Sequence, residues 1–176
     1  MDTKVVTGKV RFCYCNVFEP TAMVEGQEKK YNIAILIDKS DKATLKKVQT
    51  GIDAAIEAGI DKLKDKNGKV PAGLKTPLRD GDEDRSDDSA FEGKIFVNAN
   101  STRKPEIVDA DLNPIMSKDE FYAGCYGRAS ISFYAYNTAG SKGIACGLNN
   151  LQKLEDGERL AGGSSASDDF GDDDLA

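Results

Sequence analysis

The sequence predicts a mainly β domain of antiparallel strands with one inserted amphipathic helix, followed by an unstructured acidic tail. Three stretches carry this prediction. Residues 125–137, CYGRASISFYAYN, alternate with a period of two. Cys125, Gly127, Ala129, Ile131, Phe133 and Ala135 are small or apolar, whereas Tyr126, Arg128, Ser130, Ser132, Tyr134 and Tyr136 are aromatic, basic or hydroxylic. Such alternation marks a half-buried strand. Residues 41–63 set Leu45, Val48, Ile52, Ala55, Ile56, Gly59 and Leu63 on one apolar stripe at helical spacing, with Ser40 or Asp41 as cap. Residues 161–176 are Gly/Ser-rich, then Asp-rich, and have too few bulky apolar residues to bury a core.

The remaining elements follow in chain order. Residues 4–18 read as one strand, with Val6, Val10, Phe12 and Tyr14 on one face and Lys9, Arg11, Cys13 and Cys15 on the other. Pro20 and Gly26 place a loop at 19–28. Residues 29–37, KKYNIAILI, turn apolar on both faces and suit a central strand. Residues 65–92 hold glycines, prolines and the run RDGDEDRSDD and read as a long polar loop. In the strand at 93–100, Ile95, Val97 and Ala99 share one face, and Lys94, Phe96 and Asn98 share the other. A turn bearing Arg103 and Lys104 follows, then an irregular stretch at 105–120. A hairpin turn at 138–142 leads into a strand at 142–148, whose glycines suggest close backbone approach.

Composition excludes several classes. No segment approaches the ~18–20 apolar residues that span a bilayer. MDTKVVTGKV is not built like a secretory signal, and the four Cys are expected to be free thiols in a reducing compartment. The chain has no His, which removes His-based catalysis and His-ligated metal sites. Of the net charge of −6, the tail supplies −5 and residues 80–90 another −5, which leaves the rest at +4. The folded part is therefore mildly basic.

The acidic run Asp80, Asp82, Glu83, Asp84, Asp87, Asp88 fails as a calcium loop, because Arg85 stands at the turn-glycine position and Phe91 at the bidentate-acid position. A solvated loop is the better reading. Four Cys scattered over separate strands lack paired zinc-ligand spacing, so no metal, cofactor or catalytic residue is assigned. The outward face of 126–136 differs from an ordinary solvated face. Three Tyr and one Arg offer flat π-surfaces and a cation, the chemistry that stacks bases and neutralises phosphate. A Tyr-rich strand covered by another part of the chain would show the same pattern. The candidate nucleic-acid contacts are Tyr126, Tyr134, Tyr136 and Phe96 for bases, and Arg128, Lys94, Lys9, Arg11, Arg103 and Lys104 for phosphates. In the tail, Asp168, Asp169, Asp172, Asp173 and Asp174 surround Phe170, a pattern suited to visiting a basic groove or docking on a partner.

Taken in order, KYNIAILIDKSDKATLKK, PLRDGDEDR, FVNANS with RKP, EFYAGCYGRASISFYAYN and KGIACGLNNLQKLEDGERLAG resemble a family of tailed-phage single-stranded DNA-binding proteins over most of residues 29–163. The resemblance implies an OB-like β-barrel at 1–160 with an inserted helix, a DNA-binding sheet face and a disordered acidic tail at 161–176. It implies sequence-tolerant binding of single-stranded DNA in phage replication or recombination, in the host cytoplasm. Replication or recombination proteins would be partners through the tail, and self-association is left open. The tail ends in Leu-Ala, where many such binders end in Phe. Two other classes stay open: a metal-dependent nuclease built on 80–88, and a phage structural protein whose Tyr face packs on protein.

Overall fold

The structure is a computed structural model that describes residues 2–22, 25–138 and 141–160. Five long strands form the frame: β2 (Val10–Thr21), β3 (Lys30–Asp38), β5 (Lys94–Ser101), β7 (Tyr126–Thr138) and β8 (Ser141–Glu155). Neighbours run β7-β2-β3-β5-β8, and β8 pairs back onto β7, so the sheet closes. In chain order this is first, second, third, fifth, fourth and back to first, the OB arrangement. The β5–β8 contact is parallel, at Asn100↔Gly147, and the other frame pairings are antiparallel.

The inward positions make the core. Phe12, Ile33, Ile35, Ile37, Val97, Ala99, Ile131, Phe133, Ile144, Leu148 and Leu151 are all buried. On β7 the predicted alternation holds, with Gly127, Ala129, Ile131, Phe133 and Ala135 buried. The helix closes one end of the barrel. It comprises α1 (Lys42–Ala58) and α2 (Ile60–Leu63), and the Asp41 carboxylate caps it by accepting from the Thr44 amide at 3.1 Å. Val48, Ile52, Ala55 and Leu63 are buried against the strands. The predicted single helix is interrupted at Gly59, where a side chain would collide with Ala135.

Several expectations are corrected. The strand predicted at 4–18 divides into β1 (Lys4–Val6), which pairs with β7, and β2. Between them lies Thr7, whose buried hydroxyl donates to the Gly8 carbonyl and accepts from the Ala129 amide. Within β2 the pairing steps from Cys13↔Ala34 to Asn16↔Asn32, so β2 carries one extra residue. Tyr14 sits in this bulge at φ +50°. The extra residue inverts the predicted facing: Tyr14 turns outward and Cys15 packs toward the core.

The 65–92 insertion is more structured than a polar loop. It contains β4 (Leu78–Asp80) paired with β5, a helical turn α3 (Gly81–Asp84) and a 3-10 turn at Ser89–Phe91. The stretch 105–120 contributes β6 (Glu106–Val108), parallel to β8, and β8 itself runs to Glu155. The tip of the β7–β8 hairpin, residues 139–140, and the tail at 161–176 lie outside the described residues.

Candidate nucleic-acid interface

Register places one polar row across the outside of the barrel. Asn16 on β2 pairs with Asn32 on β3, Asn32 with Asn100 on β5, Asn100 with Gly147 on β8, Gly147 with Ser132 on β7, and Ser132 with Lys4 on β1. At ~4.8 Å per strand, the four steps from β2 to β7 span about 19 Å. The carboxamides are hydrogen-bonded into a chain, Asn16 Nδ2 donating to Asn32 Oδ1 and Asn32 Nδ2 to Thr21 Oγ1, both at 2.9 Å. At the other end Asn149 Nδ2 donates to Ser132 Oγ at 2.9 Å. A side chain at Gly147 would touch the ring of Tyr134, so Tyr134 stands directly beside the row.

The β2–β3–β5 half of this row is the floor of a groove of about 790 Å³, walled by Tyr14, Lys30 and Arg85. Tyr14 and Tyr134 are 39% and 47% exposed and flank opposite ends of the row. The left-handed backbone of Tyr14 is uncommon for a bulky residue, and such outliers concentrate at ligand-holding positions. The Arg85 guanidinium lies 5.6 Å from both the Tyr14 and Phe91 ring centres. Each carboxamide both donates and accepts, so the floor can meet the edge of any base.

Next to the row, the same three strands form an apolar patch. Cys13, Ala34, Leu36 and Phe96 face outward there and are sealed by Phe91 from the insertion. Phe91 has no exposed surface and meets Phe96 edge-on, with ring centres 5.0 Å apart. Around Phe91 the acidic residues hold the segment down. Lys39 Nζ pairs with Asp80 at 2.8 Å and Asp82 at 2.7 Å, and the Asp82 carboxylate accepts from the Gly93 amide. Gly81 is buried where a side chain would collide with the Phe91 carbonyl. Removing a buried Phe typically costs about 3–5 kcal/mol, whereas stacking one base gains about 1–3 kcal/mol. Base stacking alone does not displace Phe91.

The hydrogen bonds from Lys39 hold both the Asp80 and Asp82 carboxyls below the usual aspartate range, and those carboxylates in turn raise the Lys39 ammonium. Groups with depressed pKa stabilise the fold above the unfolded aspartate value of about 3.9 and lose that contribution as pH falls through the folded value. The clasp is therefore intact at neutral pH and loosens in acid below about pH 4. In an NMR titration the Gly93 amide shift should follow Asp82 with a midpoint below 3.9; a midpoint at or above it would show that the clasp is not formed.

The residues predicted to contact nucleic acid fall into three groups. Tyr134 lies at the row. Arg103 and Lys104 leave β5 just beyond Asn100 and are exposed, with Lys104 Nζ 6.0 Å from the Phe18 ring centre. The second group, Lys9, Arg11, Lys94 and Tyr126, converges on a hollow of about 240 Å³ beyond the Phe91 patch. Its cations are engaged within the fold: Lys9 pairs with Glu155, Lys94 with Asp38, and Arg11 donates to the carbonyls of Gly124 and Glu158. Lys9 and Arg11 also lie 5.4 and 5.2 Å from the Tyr126 ring centre. In the third group, Arg128 is exposed and donates to the Thr7 carbonyl, and Tyr136 is half-buried with its hydroxyl beside Gly143.

Phe96 is a correction. It is 2% exposed beneath Phe91 and presents no ring face to a base. The row and its groove also hold Tyr14, Asn16, Asn32, Asn100 and Arg85, which the sequence reading did not single out. A signal existed, since Asn is depleted in strands, yet Asn16, Asn32, Asn98 and Asn100 all lie within strands. No group of three or more metal-ligating side chains occurs among the described residues.

The family model described as the single-stranded DNA-binding protein of Enterobacter phage Enc34 matches residues 3–176. The chain belongs to that family. Protein p50 of Acyrthosiphon pisum secondary endosymbiont phage 1 is 31% identical over 171 residues, covering 93% of this chain and 90% of that protein. The Enc34 single-stranded DNA-binding protein in complex with single-stranded DNA is similar with TM-score 0.73 and 25% identity, over 90% of each chain. The bacteriophage T7 single-stranded DNA-binding protein gp2.5 shares the fold at TM-score 0.60 and 13% identity, over 98% of this chain and 94% of that one.

Proposed function

We propose that this chain binds single-stranded DNA without strong sequence preference, along the row from Asn16 to Ser132. The observation that carries the reading is the row itself. It is a continuous polar floor over the β3–β5 face that OB folds use for oligonucleotides, with a half-exposed tyrosine at each end. Bases stack on Tyr14 and Tyr134 and meet the carboxamides by their edges. Phosphates meet Arg85, Lys30, Arg103, Lys104 and, at the β1 end, Lys4. The role is that of a binder in phage replication or recombination in the host cytoplasm, without catalytic activity.

The test is a titration of labelled oligo(dT) with and without Mg²⁺ over a salt series. Binding without cleavage is expected; Mg²⁺-dependent cleavage would favour a nuclease, and no binding would contradict the reading. On single strands the logarithm of affinity falls with log salt by ~0.7 per phosphate contact. Replacing Arg103 and Lys104 together by Ala should therefore take about 1.4 off the slope. An unchanged slope would remove the pair from the interface.

The folded unit in this reading is 1–160, and 161–176 is a tethered polyanion. Leu160, the last described residue, packs on the outer-face cluster, so the tail starts beside the DNA face. Tethering gives effective concentrations up to the millimolar range. Deleting Asp168–Ala176 should tighten oligo(dT) binding several-fold at low salt and hardly at all at high salt, where the contacts are screened. Equal low-salt affinities would rule out competition by the tail. Phe170 is the proposed anchor for a replication partner.

A further inference from the structure

The outer face of β2, β3 and β5 reads in three zones along each strand. β2 runs Arg11, Cys13, then Asn16; β3, taken from its end, runs Asp38, Leu36, Ala34, Asn32; β5 runs Lys94, Phe96, Asn98, Asn100. A charged end and an amide end are thus separated by the patch that Phe91 seals. From Lys94 to Asn100 is about 20 Å at ~3.3 Å per residue. We propose that residues 80–92 are a fixed divider. They keep bound single-stranded DNA off the centre of the barrel face, hold the Lys9–Arg11–Lys94 hollow outside its path, and so limit the length of strand that one protein covers.

Three observations support this. The divider is anchored from both sides, by Phe91 in the apolar patch and by Lys39 on Asp80 and Asp82. Its buried ring occupies the position where a base would otherwise stack on Phe96. Its solvent side is negative: Asp87 is exposed and has no cation within salt-bridge distance among the described residues, and Glu83, also exposed, lines a separate hollow between β4 and α1 near Lys42 and Lys46. A strand turning from the row toward the Lys9–Arg11–Lys94 hollow would enter the negative field of this segment, which carries seven acidic residues and one Arg over 80–92. The one cation the segment turns toward the row is Arg85, over Tyr14.

This inference rests on the proposed DNA path, and the experiment separates the two. Glu83→Lys with Asp87→Lys is compared with Asp53→Lys with Glu57→Lys on the exposed face of α1, which changes net charge equally. Stoichiometric poly(dT) titration should give more nucleotides per protein for the divider pair only, with a several-fold larger gain in low-salt affinity than the control pair. Identical responses of the two pairs, with normal wild-type binding, would overturn the divider and leave the path standing. A wild-type protein that does not bind poly(dT) would overturn both. Cys13, buried beneath Phe91, should stay unlabelled by iodoacetamide with and without DNA. Labelling of Cys13 that rises on DNA binding would show that the segment lifts, against a fixed divider.

Discussion

Replacing Tyr14 and Tyr134 together with alanine should weaken oligo(dT) binding by about 2–6 kcal/mol, since on the proposed path each ring would stack one base at ~1–3 kcal/mol. The two rings lie on β2 and β7, at opposite ends of the polar row, and keep substantial exposure in a domain whose other aromatics are largely covered. Phenylalanine at both positions should retain most of the affinity, since the face does the stacking. Leucine should not, because its area lacks a π-surface. Tyr126→Ala serves as a comparison: its ring lies against Lys9 and Arg11 and beyond the Phe91 patch, so its loss should matter little. Wild-type affinity in the double alanine variant, with an unchanged melting curve, would remove both rings from the site.

Phe91→Ala should destabilise the domain by about 3–5 kcal/mol, the range for emptying a fully buried aromatic site. The residue lies in a segment whose composition is that of a surface loop, so a large loss there discriminates well. With Phe91 gone, Leu36, Phe96 and Cys13 would be exposed together on the outer face. Phe91→Leu keeps an apolar filler and should cost less. Denaturant unfolding of the three proteins measures this, and a loss below about 1 kcal/mol for alanine would mean that the segment is not anchored.

The barrel frame was legible where two faces of one strand differ sharply in chemistry. At 125–136 every inward position is small or apolar and every outward one is polar or aromatic, so periodicity alone orients the strand. The helix at 41–63 was equally plain; its interruption at Gly59, where Ala135 leaves no room for a side chain, was not, because that close approach is long-range. The bulge at Tyr14 was not legible. One extra residue in CYCNVF keeps the appearance of alternation while inverting it, and it is visible only against β3. The facing of Phe96 was read correctly, but its cover comes from a neighbouring loop whose acidic composition hides a single buried aromatic. The Asn row is the hardest case. Asn16, Asn32 and Asn100 are far apart in sequence, and only strand register brings them side by side.

The most direct test of the DNA path is photocross-linking with an oligonucleotide containing 5-iodouracil, followed by peptide mapping. The chain has six tyrosines, so the adducts report position unambiguously. Adducts at Tyr14 and Tyr134 are expected if the strand follows the row. Adducts confined to Tyr126, in the hollow on the far side of Phe91 from the row, would contradict it.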